Sequence, residues 1–196
     1  MARAGIGNIT VVDSDTVDIS NINRQLIADD TTLGNFKTDV MKKRLLNINP
    51  EIKVTTYNMF VSKENIDQFD FLHYNYVVDA IDTVTSKLLI IEKAYENKLN
   101  IISSMGTANK IDPLMLKVDD IYSTYECPLA KVIRRELKKR LIKHLKVVYS
   151  TEKPIYKAKN QDINGKKINA SISFVPSVAG LIIASQVIKD ILGENL

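Results

Sequence analysis

Short apolar runs alternate with helical patterns along the first half of the chain. Runs rich in β-branched and aliphatic residues predict strands at Ile9–Val12, Lys53–Met59, Tyr76–Ala80 and Asn100–Ser104. Apolar residues at helical spacing predict helices at Lys37–Asn49, Glu64–Phe69 and Thr83–Asn97. Strands that alternate with helices favour right-handed crossovers and a mostly parallel sheet. The pattern therefore predicts an α/β fold.

The second half of the chain follows a less regular pattern. An amphipathic helix is predicted by the apolar residues Leu129, Val132, Ile133, Leu137 and Leu141. Further strands are predicted at Leu145–Tyr149 and Ser171–Val175. Pro176 is placed to open a last helix, where its missing N–H costs little. Residues 150–169 are mostly polar and lack periodicity, so they predict a long loop or hairpin arm.

Composition limits the number of domains and the compartment. With 196 residues, 45% of them apolar, the chain can bury one core, so we expect residues 1–196 to form a single domain. The single cysteine, Cys127, excludes an internal disulfide and favours a reducing, cytoplasmic location. The longest apolar stretch, Val178–Leu192, is interrupted by polar residues such as Lys189 and Asp190. We therefore expect a core helix there and no membrane span.

Positive charge is concentrated in one segment of the second half. The net charge is only +4, but eight cations fall between residues 131 and 146 and are opposed there only by Glu136. They are Lys131, Arg134, Arg135, Lys138, Lys139, Arg140, Lys143 and Lys146. Such a run is typical of a solvated helix face, and it also creates a local field that attracts phosphate. The second interpretation leaves a nucleic-acid partner open.

Polar residues crowd the region after the first predicted strand. Asp13 lies at the sheet edge where open α/β sheets bind ligands, and it can accept hydrogen bonds from a ribose or cap a turn. Arg24 carries a fork suited to phosphate oxygens, and Asn21 and Gln25 add neutral donors beside it. Lys37 begins a helix, where the dipole disfavours a cation unless an anion neutralises it. All five are candidates for binding a phosphorylated ligand.

Two carboxylates follow the third predicted strand. Asp79 and Asp82 both precede a helix, and either could hold Mg²⁺, which prefers carboxylate oxygens together with nucleotide phosphates. Alternatively, Asp82 or Thr83 is simply the N-cap of that helix. Spacing alone does not decide between a metal ligand and a cap.

Taken together, these motifs resemble those of a known family. The chain contains V-D-x-D-x-V, then N-x-x-R-Q, then a lysine after "LGNF", then "DAIDT". This combination resembles the ThiF/MoeB/HesA type of the ubiquitin-activating-like superfamily. The segments "SSMGTANKIDP", "ECPLAKVIRRELKK" and "LKVVYSTEKP" are similar to its tRNA threonylcarbamoyladenosine dehydratase branch. The resemblance implies a Rossmann-like activating-enzyme fold with a mixed sheet.

The resemblance also implies an activity and roles for individual residues. ATP and Mg²⁺ would be required, with Asp13 holding the ribose and Asp82 the metal. Asn21, Arg24 and Lys37 would contact the phosphates, and Gln25 would support them. In this family a carboxylate on a modified adenosine of tRNA attacks the α-phosphate, and the acyl-adenylate cyclises with release of AMP. Arg24, Lys37 and Asp82 would be the catalytic residues.

The family pattern also includes a strand, a G-x-G-G-x-G turn and a helix upstream of this first strand, and all three are missing from the 196 residues. "ARAGIGN" resembles the end of that helix and the turn into the next strand. A start site assigned too late, an expressed fragment and a shortened protein are the alternatives. We expect residues 1–196 to bind ATP weakly, since backbone donors of such a turn surround the phosphates.

The sequence leaves alternative functions open and predicts several partners. One alternative is an adenylyltransferase that activates a sulfur-carrier or ubiquitin-like protein, and another is a non-catalytic binding or assembly module. An NAD-dependent oxidoreductase fits Arg24, Lys37 and Asp82 less well. The expected partners are tRNA, a second copy of the chain in a homodimer, and a sulfur-transfer protein. Cys127 is expected to be a structural residue rather than a covalent acceptor.

Overall fold

The computed structural model describes residues 1–155 and 170–193. The chain divides into two compact units, Met1–Asn65 and Ile66–Leu196, and each is described by itself. Both units combine parallel strands with helices, so the predicted α/β fold with a mixed sheet is confirmed. The single-domain organisation of residues 1–196 stays a prediction.

The first unit is built on two parallel strands and one helix. A short 3₁₀ helix, Ala2–Ala4, ends at Gly5, whose φ of 88° lies in the left-handed region that glycine adopts without strain. Strand β1 (Asn8–Val12) then pairs in parallel with β2 (Lys53–Tyr57), and helix α1 (Lys37–Ile48) connects them. Leu45 of α1 packs with Ile52 and with apolar side chains of both strands to form this unit's core.

The second unit contains a four-stranded mixed sheet with helices on both faces. Its elements are β3 (Tyr76–Asp79), α2 (Val84–Glu96), β4 (Asn100–Ser104), β5 (Leu116–Asp120), α3 (Pro128–Lys139), β6 (Lys146–Ser150) and α4 (Phe174–Leu192). The strand order is β3-β4-β6-β5, with β5 antiparallel to β6 and the other pairs parallel. Neighbouring residues of a strand point to opposite faces, and accordingly Val147 packs with α2 and α3 whereas Val148 packs with α4.

The sequence predictions for this fold contain two wrong elements and miss one strand. The helix predicted at Glu64–Phe69 is a 3₁₀ turn at Ile66–Gln68. The strand predicted at Ser171–Val175 is wrong, because α4 already begins at Phe174 and Val175 is the first residue of its buried stripe. Strand β5 was not predicted, since its short "LKVDD" segment has only two apolar residues.

The predicted arm at residues 150–169 is only partly covered by the structure. Ser150 ends β6, and residues 156–169 lie outside the described residues. Asn109 contacts both flanks of that segment, because its C=O accepts from Ile155 N–H at 2.8 Å and its N–H donates to Ala170 C=O at 2.7 Å. The prediction of a loop or hairpin arm is therefore untested for residues 156–169.

Helix α4, with 19 residues, is apolar and long enough to cross a membrane by length and composition alone, and its mean hydropathy is 1.5 over an 18-residue window. Every fourth residue along it, Val175, Ala179, Ile183 and Val187, is nevertheless buried against the sheet. Near its C-terminal end, Asp190 accepts hydrogen bonds from Tyr76 Oη at 2.6 Å and Lys146 Nζ at 2.6 Å. These contacts identify α4 as a core helix of the second unit, as the sequence predicted.

Candidate functional site

The V-D-x-D segment turns sharply as it leaves β1. Asp13 N–H donates to Tyr57 C=O at 3.2 Å and so extends the pairing of β1 with β2 by one residue. The Asp13 carboxylate then accepts from Asp15 N–H, with 2.8 Å between Oδ1 and N. Asp13 therefore caps a turn, which was one of the two roles predicted for it. Binding of a ribose hydroxyl by Asp13 stays a prediction.

Asp15 supplies the anion that a lysine at the start of α1 requires. Lys37 Nζ lies 2.7 Å from Asp15 Oδ2, and Lys37 N–H donates to Asp15 C=O at 3.0 Å. The Lys37 side chain is 12% exposed and that of Asp15 is 65% exposed. The ion pair is therefore open to solvent on the side of the carboxylate, whereas the lysine side chain is packed into the protein. Lys37, the first residue of α1, is thus paired with an exposed carboxylate from the preceding connection.

The N-x-x-R-Q segment is ordered by a short 3₁₀ helix, Ile19–Asn21. Asn21 is buried, and its Oδ1 accepts from Asp18 N–H at 3.1 Å. Arg24 Nη1 donates to Ser20 C=O at 2.7 Å and to Asn23 Oδ1 at 3.0 Å. The side-chain oxygen of Asn21 and one guanidinium nitrogen of Arg24 therefore take part in folding this loop.

The remaining contacts of this segment concern Gln25 and Asp18. Gln25 N–H donates to Asn21 C=O at 2.8 Å, and Arg24 N–H donates to the same C=O at 3.0 Å, so both residues belong to one turn. Hydrogen bonds from Ser20 lower the pKa of the Asp18 carboxyl, and the charge of Lys37 lowers it further although slight desolvation opposes them. Asp18 therefore stays ionised at neutral pH, and it adds negative charge near Lys37 beside that of Asp15.

The first carboxylate of "DAIDT" has a structural role. Asp79 and Lys87 are both completely buried, and Lys87 Nζ lies 2.7 Å from Asp79 Oδ2. The same carboxylate oxygen accepts from Ser103 Oγ at 2.5 Å, while Oδ1 accepts from Ile81 N–H at 3.1 Å. Lys87 Nζ also donates to Ser104 C=O at 3.0 Å. Because its oxygens are engaged inside the core, Asp79 does not fit a metal ligand.

The second carboxylate, Asp82, fits a magnesium ligand better. It is exposed and lies between the end of β3 and the start of α2, with Thr83 Oγ1 donating to Asp82 Oδ1 at 3.4 Å. Thr83 is the N-cap residue, so Asp82 is not needed in that position. Within the part of the chain that the structure describes, no cluster of three or more His, Cys, Asp or Glu residues could hold a metal. Asp82 could therefore act as a single carboxylate ligand beside nucleotide phosphates, the arrangement that Mg²⁺ commonly adopts.

Comparison with known proteins identifies the family. The model of the ThiF family matches residues 1–196. The chain belongs to the ThiF family. It is homologous to tRNA threonylcarbamoyladenosine dehydratases, with 41% identity to the Bacillus subtilis protein over 99% of this chain and 81% of that protein. The Escherichia coli protein is 36% identical over 87% of this chain and 66% of its own length.

Solved structures of the E. coli dehydratase share the fold. Its complexes with AMP and with ATP each superpose with a TM-score of 0.88 at 32% identity, covering 98% of this chain and 78% of that protein. The predicted Rossmann-like fold of this ThiF-family chain is thereby confirmed. ATP and AMP are ligands of that homologue.

The predicted site residues of this ThiF-family chain occupy two places. Asp13, Asn21, Arg24, Gln25 and Lys37 lie along the connection from β1 to α1 in the first unit, whereas Asp82 lies at the start of α2 in the second.

Sequence reasoning missed two residues that shape these places. Asp15 is the second acid of the V-D-x-D motif, and its position two residues after Asp13 in that motif could have drawn attention to it. Lys87 gave no signal of its own, because a lysine on a predicted helix is usually exposed.

Proposed function

We propose that this ThiF-family chain is an ATP-dependent dehydratase that cyclises threonylcarbamoyladenosine in tRNA through an acyl-adenylate. The observation that carries the proposal is the 41% identity to a tRNA threonylcarbamoyladenosine dehydratase along 99% of the chain. The ordered connection from β1 to α1, which contains the residues that the family resemblance assigns to the ribose and the phosphates, supports it.

In the proposed reaction, charge moves onto the leaving pyrophosphate. The substrate carboxylate forms a bond to the α-phosphorus as the bond to pyrophosphate breaks, and ring closure at the activated carbonyl then releases AMP. Arg24 and Lys37 would stabilise the phosphate oxygens during the first step, since fixed cations act most strongly where charge develops. Lys37 would exchange Asp15 for phosphate, which the 65% exposure of Asp15 favours because an exposed carboxylate can move into solvent.

Further parts of the proposal concern the metal, the nucleotide and the assembly. Asp82 would hold Mg²⁺, which would neutralise phosphate charge, and Asp13 would orient the ribose.

We also propose that the protein is cytoplasmic and forms a homodimer. Support for a dimer comes from exposed apolar side chains on α4, where Phe174 is 42% and Leu181 is 70% exposed.

The proposal is tested in a bacterium that lacks its own dehydratase. Expression of the chain should convert threonylcarbamoyladenosine in tRNA to a product that has lost one water, measured by mass spectrometry of the nucleosides. The purified protein should form AMP and pyrophosphate from ATP only when modified tRNA is added. Residues 1–196 and a chain extended upstream in the same reading frame are both assayed, and the weak ATP binding expected of residues 1–196 predicts the lower conversion for them.

Variants show whether the assigned residues act in this reaction. Arg24→Gln and Lys37→Met should each reduce kcat by roughly 10²–10³, the usual cost of removing one such charge-stabilising group. Lys42→Met, an exposed residue on the same helix as Lys37, is the matched control and should retain full activity. AMP formation that requires a small ubiquitin-like protein instead of tRNA would replace the proposal by the adenylyltransferase alternative.

A further inference from the structure

Five of the eight cations of the basic segment fall into two groups in the structure. Arg134 is half-buried and donates to Thr124 C=O at 2.6 Å and to Ile121 C=O at 3.3 Å, so it anchors α3 to the preceding turn. Arg140 pairs with Glu92 of α2 and with Glu136, where the Nη1 to Oε2 distance is 2.9 Å. Both arginines are therefore structural, although the sequence had grouped them with the other cations.

Lys131, Arg135 and Lys138 form the second group, which we name the outer α3 surface. These residues are exposed and follow one another at intervals of four and three, so their side chains share one face of the helix. The opposite face is buried through Ala130, Ile133 and Leu137. The outer α3 surface thus presents three cations over about 10 Å of helix length.

Acidic neighbours do not neutralise this surface. Glu136 is the one acid of α3, and its carboxylate already pairs with Lys139 at 2.8 Å and with Arg140. Arg135 Nε approaches the same carboxylate at 3.5 Å, so three cations share one negative charge. Lys138 Nζ lies 5.9 Å from the ring centre of Tyr122. This cation–π contact does not neutralise the positive charge of the lysine. The net charge of the face is positive.

Helix stability does not explain the position of these cations. The first turn of α3 contains no acidic residue, and Lys131 follows directly where the positive end of the helix dipole disfavours a cation. Lys138 in the last turn does complement the dipole. The dipole therefore does not account for Lys131, whereas a polyanion with closely spaced charges would account for a cation there.

We infer that the outer α3 surface contacts the phosphate backbone of tRNA. The inference rests on the proposed function for the identity of the polyanion. Contacts from cationic side chains to phosphate groups position an RNA but carry no information about its sequence. The three side chains are therefore expected to position the tRNA and not to select its sequence. Arg134 and Arg140 are left out of the contact because the guanidinium of Arg134 donates to backbone carbonyls and that of Arg140 is paired with two glutamates.

The test is the salt dependence of tRNA binding by the protein without ATP. An unmodified tRNA transcript is used, so that binding is measured independently of the dehydration reaction. The triple variant Lys131→Gln, Arg135→Gln, Lys138→Gln should bind more weakly, and the slope of log K against log salt should become shallower by about 2–3. The substituted residues are exposed, so far-UV circular dichroism should be unchanged.

Two controls separate a local contact from a general charge effect. The matched variant Lys42→Gln, Lys43→Gln, Lys53→Gln removes the same charge from exposed positions of the first unit and should leave the slope unchanged. Arg134→Gln should lower stability and also leave the slope unchanged.

Equal slopes for the wild type and the outer-surface variant would overturn the inference, as would no binding of the transcript by the wild type. Equal flattening by both triple variants would also overturn it, because the effect would then be one of net charge. A dehydratase that passes the nucleoside assay but shows equal slopes would leave the proposed function intact and remove this surface alone.

Discussion

The buried pair of Asp79 and Lys87 allows a sharp test of the second unit. Lys87→Met keeps most of the side-chain volume and removes the charge. Asp79 would then be left as an unpaired carboxylate in the core, with Ser103 Oγ and Ile81 N–H as its remaining partners. Ser104 C=O would also lose the hydrogen bond from Lys87. The variant therefore isolates the cost of an uncompensated buried charge.

The expected loss is large for a protein of this size. Breaking a buried ion pair by removing one partner costs about 3–5 kcal/mol, and both members here are 0% exposed. Domains of this kind unfold with about 5–15 kcal/mol, so the variant should lose a large fraction of its stability. The double variant Asp79→Asn, Lys87→Met carries no buried charge and should recover at least half of the loss, because uncharged replacements of buried pairs are often nearly neutral.

Urea denaturation followed by far-UV circular dichroism measures both variants, since the chain has no tryptophan for fluorescence. Lys93→Met is the control, because this lysine of the same helix is 31% exposed and pairs with an exposed acid, Asp67. It should cost much less stability than Lys87→Met. A loss of similar size in Lys87→Met, or a double variant no more stable than the single one, would refute the reasoning.

Three further predictions concern acid stability, the anchor of α4 and the assembly. Hydrogen bonds from Lys139 and Arg140 lower the pKa of Glu136 from 4.5 to about 2, so the stability that these pairs add should be present above pH 4.5 and lost as the pH falls through about 2. Urea titrations of wild type and Glu136→Gln at several pH values should therefore differ at neutral pH and converge near pH 2. Tyr76→Phe removes the hydrogen bond to Asp190 and should cost about 0.5–1.5 kcal/mol in the same urea assay, whereas a change within error would show that the bond does not form in solution. Sedimentation at micromolar concentration should show a dimer, and a compact monomer would contradict the proposed assembly.

Local sequence patterns determined most of the secondary structure and the family. Helices α1 and α2 begin and end within one residue of their predictions, because helical periodicity and caps depend on neighbouring residues. The first strands of the chain were also predicted correctly, because their short runs of β-branched and aliphatic residues are a local pattern. The motifs around Asp13, Arg24 and Lys37 were sufficient for the family, since each is a short run of specific residue types.

Tertiary structure decided which of the candidate residues are accessible. Asp79 and Asp82 look alike in the sequence, but Lys87 and Ser103, which come from other elements, bury and neutralise the first and leave the second exposed. The anion that pairs with Lys37 is Asp15, 22 positions away.

The same distinction applies to the basic helix and to the last helix. Arg134 and Arg135 are adjacent in sequence, yet only Arg134 is turned toward Thr124, because α3 packs one face on the core. Val175 was assigned to a strand because β-branched residues favour strands, and its burial between α4 and the sheet outweighed that weak local preference. Burial and pairing depend on which distant elements meet, and a local pattern contains no information about that.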